Sequence, residues 1–251
     1  MYPTDLTDSQ YKVIESIIND QRKRKFHLKT ILEAILYINK GGIQWRLLPK
    51  EFPSWQLTYY YFRKWLLTGL WVKIQTKLRE LVRVKQGRKP CPSMGIIDSQ
   101  SIKNSEWGIP DKGFDGNKKI KGRKRHLVVD TLGLLLCIIV TQANVHDSVA
   151  AETVMRKMKG KFPRMKKILA DGGYLGERLI RLARSSLHSA FEVVTRKEES
   201  GFQVIPKRWI VERSIGWFNW SRRLSKDYEA NMASSEAWVY IASISMMIRK
   251  F

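Results

Sequence analysis

Three acids in this 251-residue chain stand where carboxylates can do chemistry. Asp98 follows the apolar run Met94 to Ile97 in MGIIDSQ, and Asp171 follows Lys167 to Ala170 in KILADGGY. Short apolar runs of this kind read as buried strands, and in an α/β sheet chemistry collects beyond the carboxyl ends of parallel strands. If these two strands are parallel and adjacent, both carboxylates project from one end of the sheet, a placement suited to sharing a divalent cation. Two carboxylates that close repel each other, and one pKa rises unless a cation compensates. A Lys or Arg could supply that charge. Phosphodiester chemistry needs something more specific, a hard, oxygen-preferring ion such as Mg2+. Two such ions can activate the attacking oxygen and stabilise the leaving one.

Glu212, in PKRWIVERSIGWFNW, is the best-placed third acid. Trp209, Ile210, Ile215, Trp217 and Phe218 are apolar enough to bury much of a helix, and a glutamate in such a context is rarely buried without a partner. Arg208 lies one helical turn earlier on the same face, where it could orient the carboxylate or touch a phosphate. The alternative is a solvent-facing Glu212 paired with Arg208 or Arg213. Asp130 also ends an apolar run, but as part of an antiparallel hairpin it should point toward the opposite end of the sheet. His27, His126, His146 and His188 show no HxxxH or HExxH spacing, which argues against a zinc hydrolase. Ser99, Ser101 and Tyr174 flank the acids without an activating arrangement, which argues against a covalent serine or tyrosine route. Asp147, after His146, is read either as a helix cap or as a support near the substrate.

These acids require elements to hold them. Before residue 85 the apolar spacing is helical: Thr7 and Gln10 form a capping-box pattern ahead of Tyr11, Ile14, Ile17 and Ile18. A second helix runs from about His27 to Asn39, stopped by Gly41-Gly42. Ser54 can cap a third, and a fourth begins near Leu70. VKQGRKPCP then breaks the pattern, so a helical domain is drawn over 1–88 and a second domain over 89–251. The second reads as strand 94–97, a hairpin of 124–130 and 134–141, helix 148–158, strand 167–170, helix 176–187, strand 190–194, and helices 207–222 and 233–249. This is the order of an α/β domain with a mixed sheet.

Charge indicates the partner. The chain carries 46 Lys+Arg against 23 Asp+Glu, a formal charge of +23, yet is 43% apolar, so it is basic without being disordered. The excess favours a polyanion, nucleic acid first. Residues 1–90 hold 18 basic and 7 acidic residues, and the remainder 28 and 16, so both halves should meet it. Phosphate contacts are expected from Arg22, Lys23, Arg24 and Lys25 between the first two helices, and from the densest run, Lys118, Lys119, Lys121, Arg123, Lys124 and Arg125. The aromatics Trp45, Trp55, Tyr59, Tyr60, Tyr61, Trp65 and Trp71 read mainly as core, although three consecutive tyrosines cannot all face inward. No apolar run is long enough to span a bilayer, and MYPTDLTDSQ lacks the features of a secretory signal, so the expected location is cytoplasmic, nucleoid-associated when on DNA. Cys91 and Cys137 are read as reduced thiols.

The segments LTDSQYKVIESII, GGIQWRLLPKEFPSWQLTYYYFRKW, IIDSQSIK, ADGGY and RWIVERSIGWFNWSRRLSKDYE together resemble the IS5 family of DDE transposases, within the IS4-like group of bacterial insertion-sequence enzymes. The resemblance extends over nearly the whole chain. It implies a ribonuclease-H-like mixed-sheet catalytic domain preceded by a small all-helical DNA-binding domain. It also implies that Asp98, Asp171 and Glu212 are the three metal-holding acids. The cofactor implied is Mg2+, with Mn2+ able to substitute. The partner is double-stranded DNA, as terminal inverted repeats and target, bound by a homodimer or higher oligomer. Of the tyrosine, arginine, glutamate and lysine pattern around the third acid, Arg208 and Glu212 match. Ile205 and Asn219 stand where the tyrosine and lysine would be, and those two roles are not carried over. Arg222, Arg223 and Lys226 are suggested as phosphate contacts on charge and proximity. The competing readings are a metal-dependent nuclease without strand transfer and a non-catalytic DNA-binding regulator.

Overall fold

The computed structural model describes residues 2–105, 110–194 and 207–251. Four helices come first: α1 (Asp8–Ile18), α2 (Leu28–Gly41), α3 (Trp55–Leu67) and α4 (Leu70–Lys85). The expected capping box is present, with Thr7 Oγ1 accepting from the Gln10 amide and Gln10 Oε1 accepting from the Thr7 amide. Ser54 caps α3. The first cap of α2 is the His27 ring, and the helix ends on Gly42 in the left-handed region at φ 69°. A side chain at Gly42 would put its Cβ 2.9 Å from that of Arg222, so only glycine satisfies both the turn and the contact.

The sheet follows: β1 (Met94–Lys103), β2 (Gly113–Asp115), β3 (Ile120–Val129), β4 (Leu135–Gln142), then α5 (Asp147–Met158), β5 (Lys167–Ala170), α6 (Glu177–Leu187), β6 (Ala190–Val193), α7 (Trp209–Asn219) and α8 (Met232–Ile248). β3 lies antiparallel between β1 and β4, β5 is parallel to β1, and β6 is parallel to β5. The short β2 pairs with the first residues of β3. The principal order β4-β3-β1-β5-β6 is a ribonuclease-H-like mixed sheet, here preceded by a helical region, as the resemblance implied.

Three details differ from the sequence expectations. β1 does not stop before Asp98, because Ser99 to Lys103 keep pairing with the ten-residue β3; only the parallel pairing to β5 ends, at Ile96. β3 starts at Ile120 rather than Lys124, which draws four of the six residues of the basic run, Lys121, Arg123, Lys124 and Arg125, into the sheet. The helix expected over 207–222 is α7 followed by a separate 3-10 turn, Arg222–Leu224.

One face of the sheet is covered by α1 to α4 and α8 in a shared core. Ile14, Leu32, Ile35, Phe62, Trp71 and Leu78 meet Trp238, Ile241 and Ile244 of α8 and Leu127, Leu135 and Ile138 of the sheet. α7 closes the same face where Ile210 and Val211 pack on Ile96, Val129 and Leu169. The opposite face, with Ile97, Val128, Ile139 and Ile168, is covered by α5 and α6. Among the described residues, no helix is long and apolar enough to cross a membrane.

Candidate active site

Strand alternation decides which way the acids face. Ile96 and Leu169 are register partners across β1 and β5, and both pack beneath α7. Asp98 and Asp171 are each two residues farther along, so they stand level with one another on the α7 face. Asp171 caps a 3-10 turn, Gly172–Tyr174, its Oδ1 accepting from the Gly173 amide at 3.0 Å. Asp98 Oδ1 accepts from the Ser99 amide at 2.6 Å. Burial, then the negative charge of Asp171, push the Asp98 carboxyl up to about 6, although the Ser99 amide, Lys118 and Arg208 pull the other way. Lys118 Nζ itself is tied to the Ser99 carbonyl at 3.0 Å.

α7 brings Arg208 near Asp98, and the Arg208 guanidinium forms an ion pair with Glu212 one turn on. Glu212 is about half exposed. Gln100, on the same face of β1 as Asp98, donates to the Asn219 side chain at 3.1 Å and fastens the far end of α7. Among the described residues, no three His, Cys, Asp or Glu side chains converge on one point as a metal cage would require. Asp98 and Asp171 therefore form a pair, while Glu212 is held by Arg208. The pair itself suits a hard cation: the two carboxylates are near enough for the charge of Asp171 to add to burial in raising the pKa of Asp98. Ile205 lies outside the described residues.

Asp130 is fully buried away from the pair. It bonds the Leu132 and Leu134 amides at 2.9 Å, forming the β3–β4 turn, and pairs with Arg83 of α4. Its demotion as a ligand agrees with this placement.

The basic run divides. Lys118, Lys119 and Lys121 are exposed, but Arg123, Lys124 and Arg125 are buried, which corrects the expectation that they meet phosphate. Arg123 reaches Asp227 and the carbonyls of Pro110, Glu229 and Ala230. Arg125 donates to the Leu224 carbonyl, and burial lowers its pKa to about 10. Lys124 lies between Asp115 at 3.6 Å and Asp147 at 3.1 Å. Arg223 is likewise buried, held by Glu229 and the Ile43 carbonyl. Arg222 and Lys226 are exposed, as are Arg22, Lys23 and Lys25, whereas Arg24 is partly covered and engaged by Asp20 and Tyr61.

Sequence reasoning missed a polar layer under the acids. Ser101 donates to Asp115 at 2.5 Å; despite burial, that bond, the Lys118 and Asn117 amides and the Lys124 charge hold Asp115 at about 2. His126, fully buried, lies 3.7 Å from Asp147, and burial lowers it to about 4, so it is neutral. His146 caps α5, leaving Asp147 free to face Lys124. The signal was the alternation of Lys124 and His126 on one face of a strand, hidden because charged residues read as surface.

Residues 89–247 match the family model described as "Transposase DDE domain", and residues 6–75 match "Putative transposase of IS4/5 family". The chain is also 32% identical over 142 residues to the "Putative transposase for insertion sequence element IS402" of Burkholderia cepacia. That similarity covers 53% of this chain and 64% of the relative, slightly under two thirds of its length. The DDE model spans every strand of the sheet carrying Asp98 and Asp171, and the second model spans most of the helical region packed on it; the chain belongs to the IS4/5-type DDE transposase family.

Proposed function

We propose that this chain binds the terminal inverted repeats of an insertion sequence and catalyses divalent-metal-dependent strand cleavage followed by strand transfer into target DNA. The observation that carries the reading is the level pairing of Asp98 and Asp171 on the face covered by α7, with Arg208 and Glu212 beside them. Asp98 and Asp171 would hold the cation, Mg2+ or Mn2+, and Glu212 would join them once a DNA phosphate takes its place on Arg208. Bound there, the cation lowers the cost of charge on the attacking and leaving oxygens.

The remaining roles belong to the protein. Asp98 would serve as a ligand in its ionised form, which protons compete against below a pH of about 6. Arg208 passes from carboxylate to phosphate, a move its guanidinium suits because both partners accept its paired N–H groups. Lys118, whose Nζ reaches the Ser99 carbonyl beside Asp98, and the exposed Lys119, Lys121, Arg222 and Lys226 would serve as phosphate contacts. In cleavage, a water oxygen bonds to phosphorus as the bond to the 3′ oxygen breaks, leaving a 5′ phosphate, and a proton lost by the water goes to the departing 3′ oxygen to make the 3′ hydroxyl. In transfer, that 3′ oxygen attacks a target phosphodiester and a second 3′ hydroxyl departs. Both steps use the same acids, on double-stranded DNA held by a homodimer or higher oligomer in the cytoplasm.

The test incubates a labelled duplex carrying the terminal repeat with target DNA and Mg2+. Wild type should cleave and join, Mn2+ should substitute, and Asp98→Asn, Asp171→Asn and Glu212→Gln should each lose both reactions by about 100-fold or more. Cleavage and joining retained in all three variants would sink the site. Binding without either reaction in wild type would mark a regulator, and cleavage without joining a nuclease.

A further inference from the structure

On the face of the sheet opposite α7 and α8, helices α5 and α6 leave a groove of about 310 Å3 lined by Glu152, Arg156, Arg178, Arg181, Leu182 and Ser185. Arg156, Arg178 and Arg181 are exposed. Arg178 and Arg181 are one turn apart on α6 and face Arg156 across the groove, so three guanidiniums gather around one carboxylate. Glu152 binds Arg178 through Nε at 2.8 Å, which leaves the two terminal amino groups of that guanidinium turned outward. Three permanent cations left unneutralised by a single acid, with a serine hydroxyl beside them, suit the oxygens of a phosphate backbone.

The groove lies on the face of the sheet covered by α5 and α6, and the chain that leaves Asp171 leads directly into α6. Asp171 directly follows β5, the turn after it carries Tyr174 into the core beneath α5 and α6, and α6 begins directly afterwards. The α7 face carries Arg208, and the proposed recognition helices α1 to α4 are packed on that same side. A duplex read by those helices therefore occupies one face of the sheet, and the α5–α6 groove is left for a second.

We propose that Arg156, Arg178 and Arg181 hold the backbone of a second DNA duplex, the target, while the terminal-repeat duplex lies across the α7 face. This rests on the strand-transfer reading above. Its recognition is independent of sequence, because backbone contacts carry no base information.

The experiment measures binding of the full chain, without divalent metal, to two short duplexes across a range of salt: one of arbitrary sequence and one carrying the terminal repeat. In the triple variant Arg156→Ala, Arg178→Ala, Arg181→Ala, the arbitrary duplex should bind about 10-fold or more weakly, with a log–log salt slope shallower by about 2–3. The terminal-repeat duplex should change by less than about 3-fold. The corresponding triple Arg→Lys variant should restore the slope, and unchanged helix content by circular dichroism should accompany both variants. An unchanged slope, or equal weakening for both duplexes, overturns the proposal. A wild type that does not prefer the terminal repeat defeats the recognition reading instead, and the arbitrary-duplex slope still decides whether this groove binds DNA.

Discussion

Asp98 is the residue whose surroundings do most to define the site. Its carboxyl, raised from 3.8 to about 6 by burial and by Asp171, makes the ionised form expensive until a cation arrives. A carboxyl whose folded pKa is raised stabilises the fold fully only below its unfolded value, and loses that contribution as pH rises through about 6. Asp98→Asn, which cannot ionise, should therefore stabilise the metal-free protein at pH 8 by about 1–3 kcal/mol and have little effect at pH 4, read by urea denaturation. An equal effect at both pH values would show that the shift is not electrostatic. Cation binding to wild type should weaken as pH falls below about 6, because protons then compete for the same oxygens. Asp98 and Asp171 stood out as candidates because each directly follows an apolar run in the sequence. Arg123, Lys124 and Arg125 were not legible as interior residues. Their partners Asp227, Asp147 and the Leu224 carbonyl come from remote stretches of chain, and nothing local marks a charge as compensated.

Among the elements, the β3–β4 hairpin and α4 behave as a unit. Gln75 and Arg79 both donate to the Leu135 carbonyl, and Arg83 meets Asp130 at the turn. Asp130→Ala should cost about 3–5 kcal/mol, because it leaves Arg83 buried without its partner and frees two turn amides. A loss under about 1 kcal/mol in chemical denaturation would show that the turn holds itself. Gly42→Ala tests a second junction, where α2 meets the Arg222–Leu224 turn. Strain at positive φ and the close approach to Arg222 together predict a loss of about 1–3 kcal/mol, seen as a lower midpoint with unchanged slope. Element types and most boundaries could be read from periodicity and caps. The extent of β1 and β3 could not, since a strand continues as long as its neighbour pairs with it, whatever the polarity of its residues.

At the scale of the molecule, the helical region and the sheet share one apolar core through α8. The change of periodicity near residue 88, where the sequence reading draws a boundary, thus corresponds to no gap in packing. The 251-residue chain should unfold in a single thermal transition reported alike by tryptophan fluorescence and circular dichroism. A fragment of residues 1–88 should have little stable helix, because the faces that meet Trp238, Ile241 and Ile244 would be open to water. A cooperatively folded fragment would contradict this. The sequence could not reveal the shared core, because an amphipathic helix states that it must be covered and not by what.

The position of α8 in chain order has a further effect during synthesis. It follows every other described element, yet its side chains fill the space among α1 to α4 and the sheet. Until α8 leaves the ribosome, the apolar faces of the first four helices lack the Trp238, Ile241 and Ile244 side chains that complete their cover, and a nascent chain must carry that part exposed or in the care of a chaperone. Any product cut short before Met232 would keep that part exposed and be open to proteolysis. Only a chain that includes the last of these helices can persist, so a cell would retain few partial products able to occupy the DNA ends without cutting them.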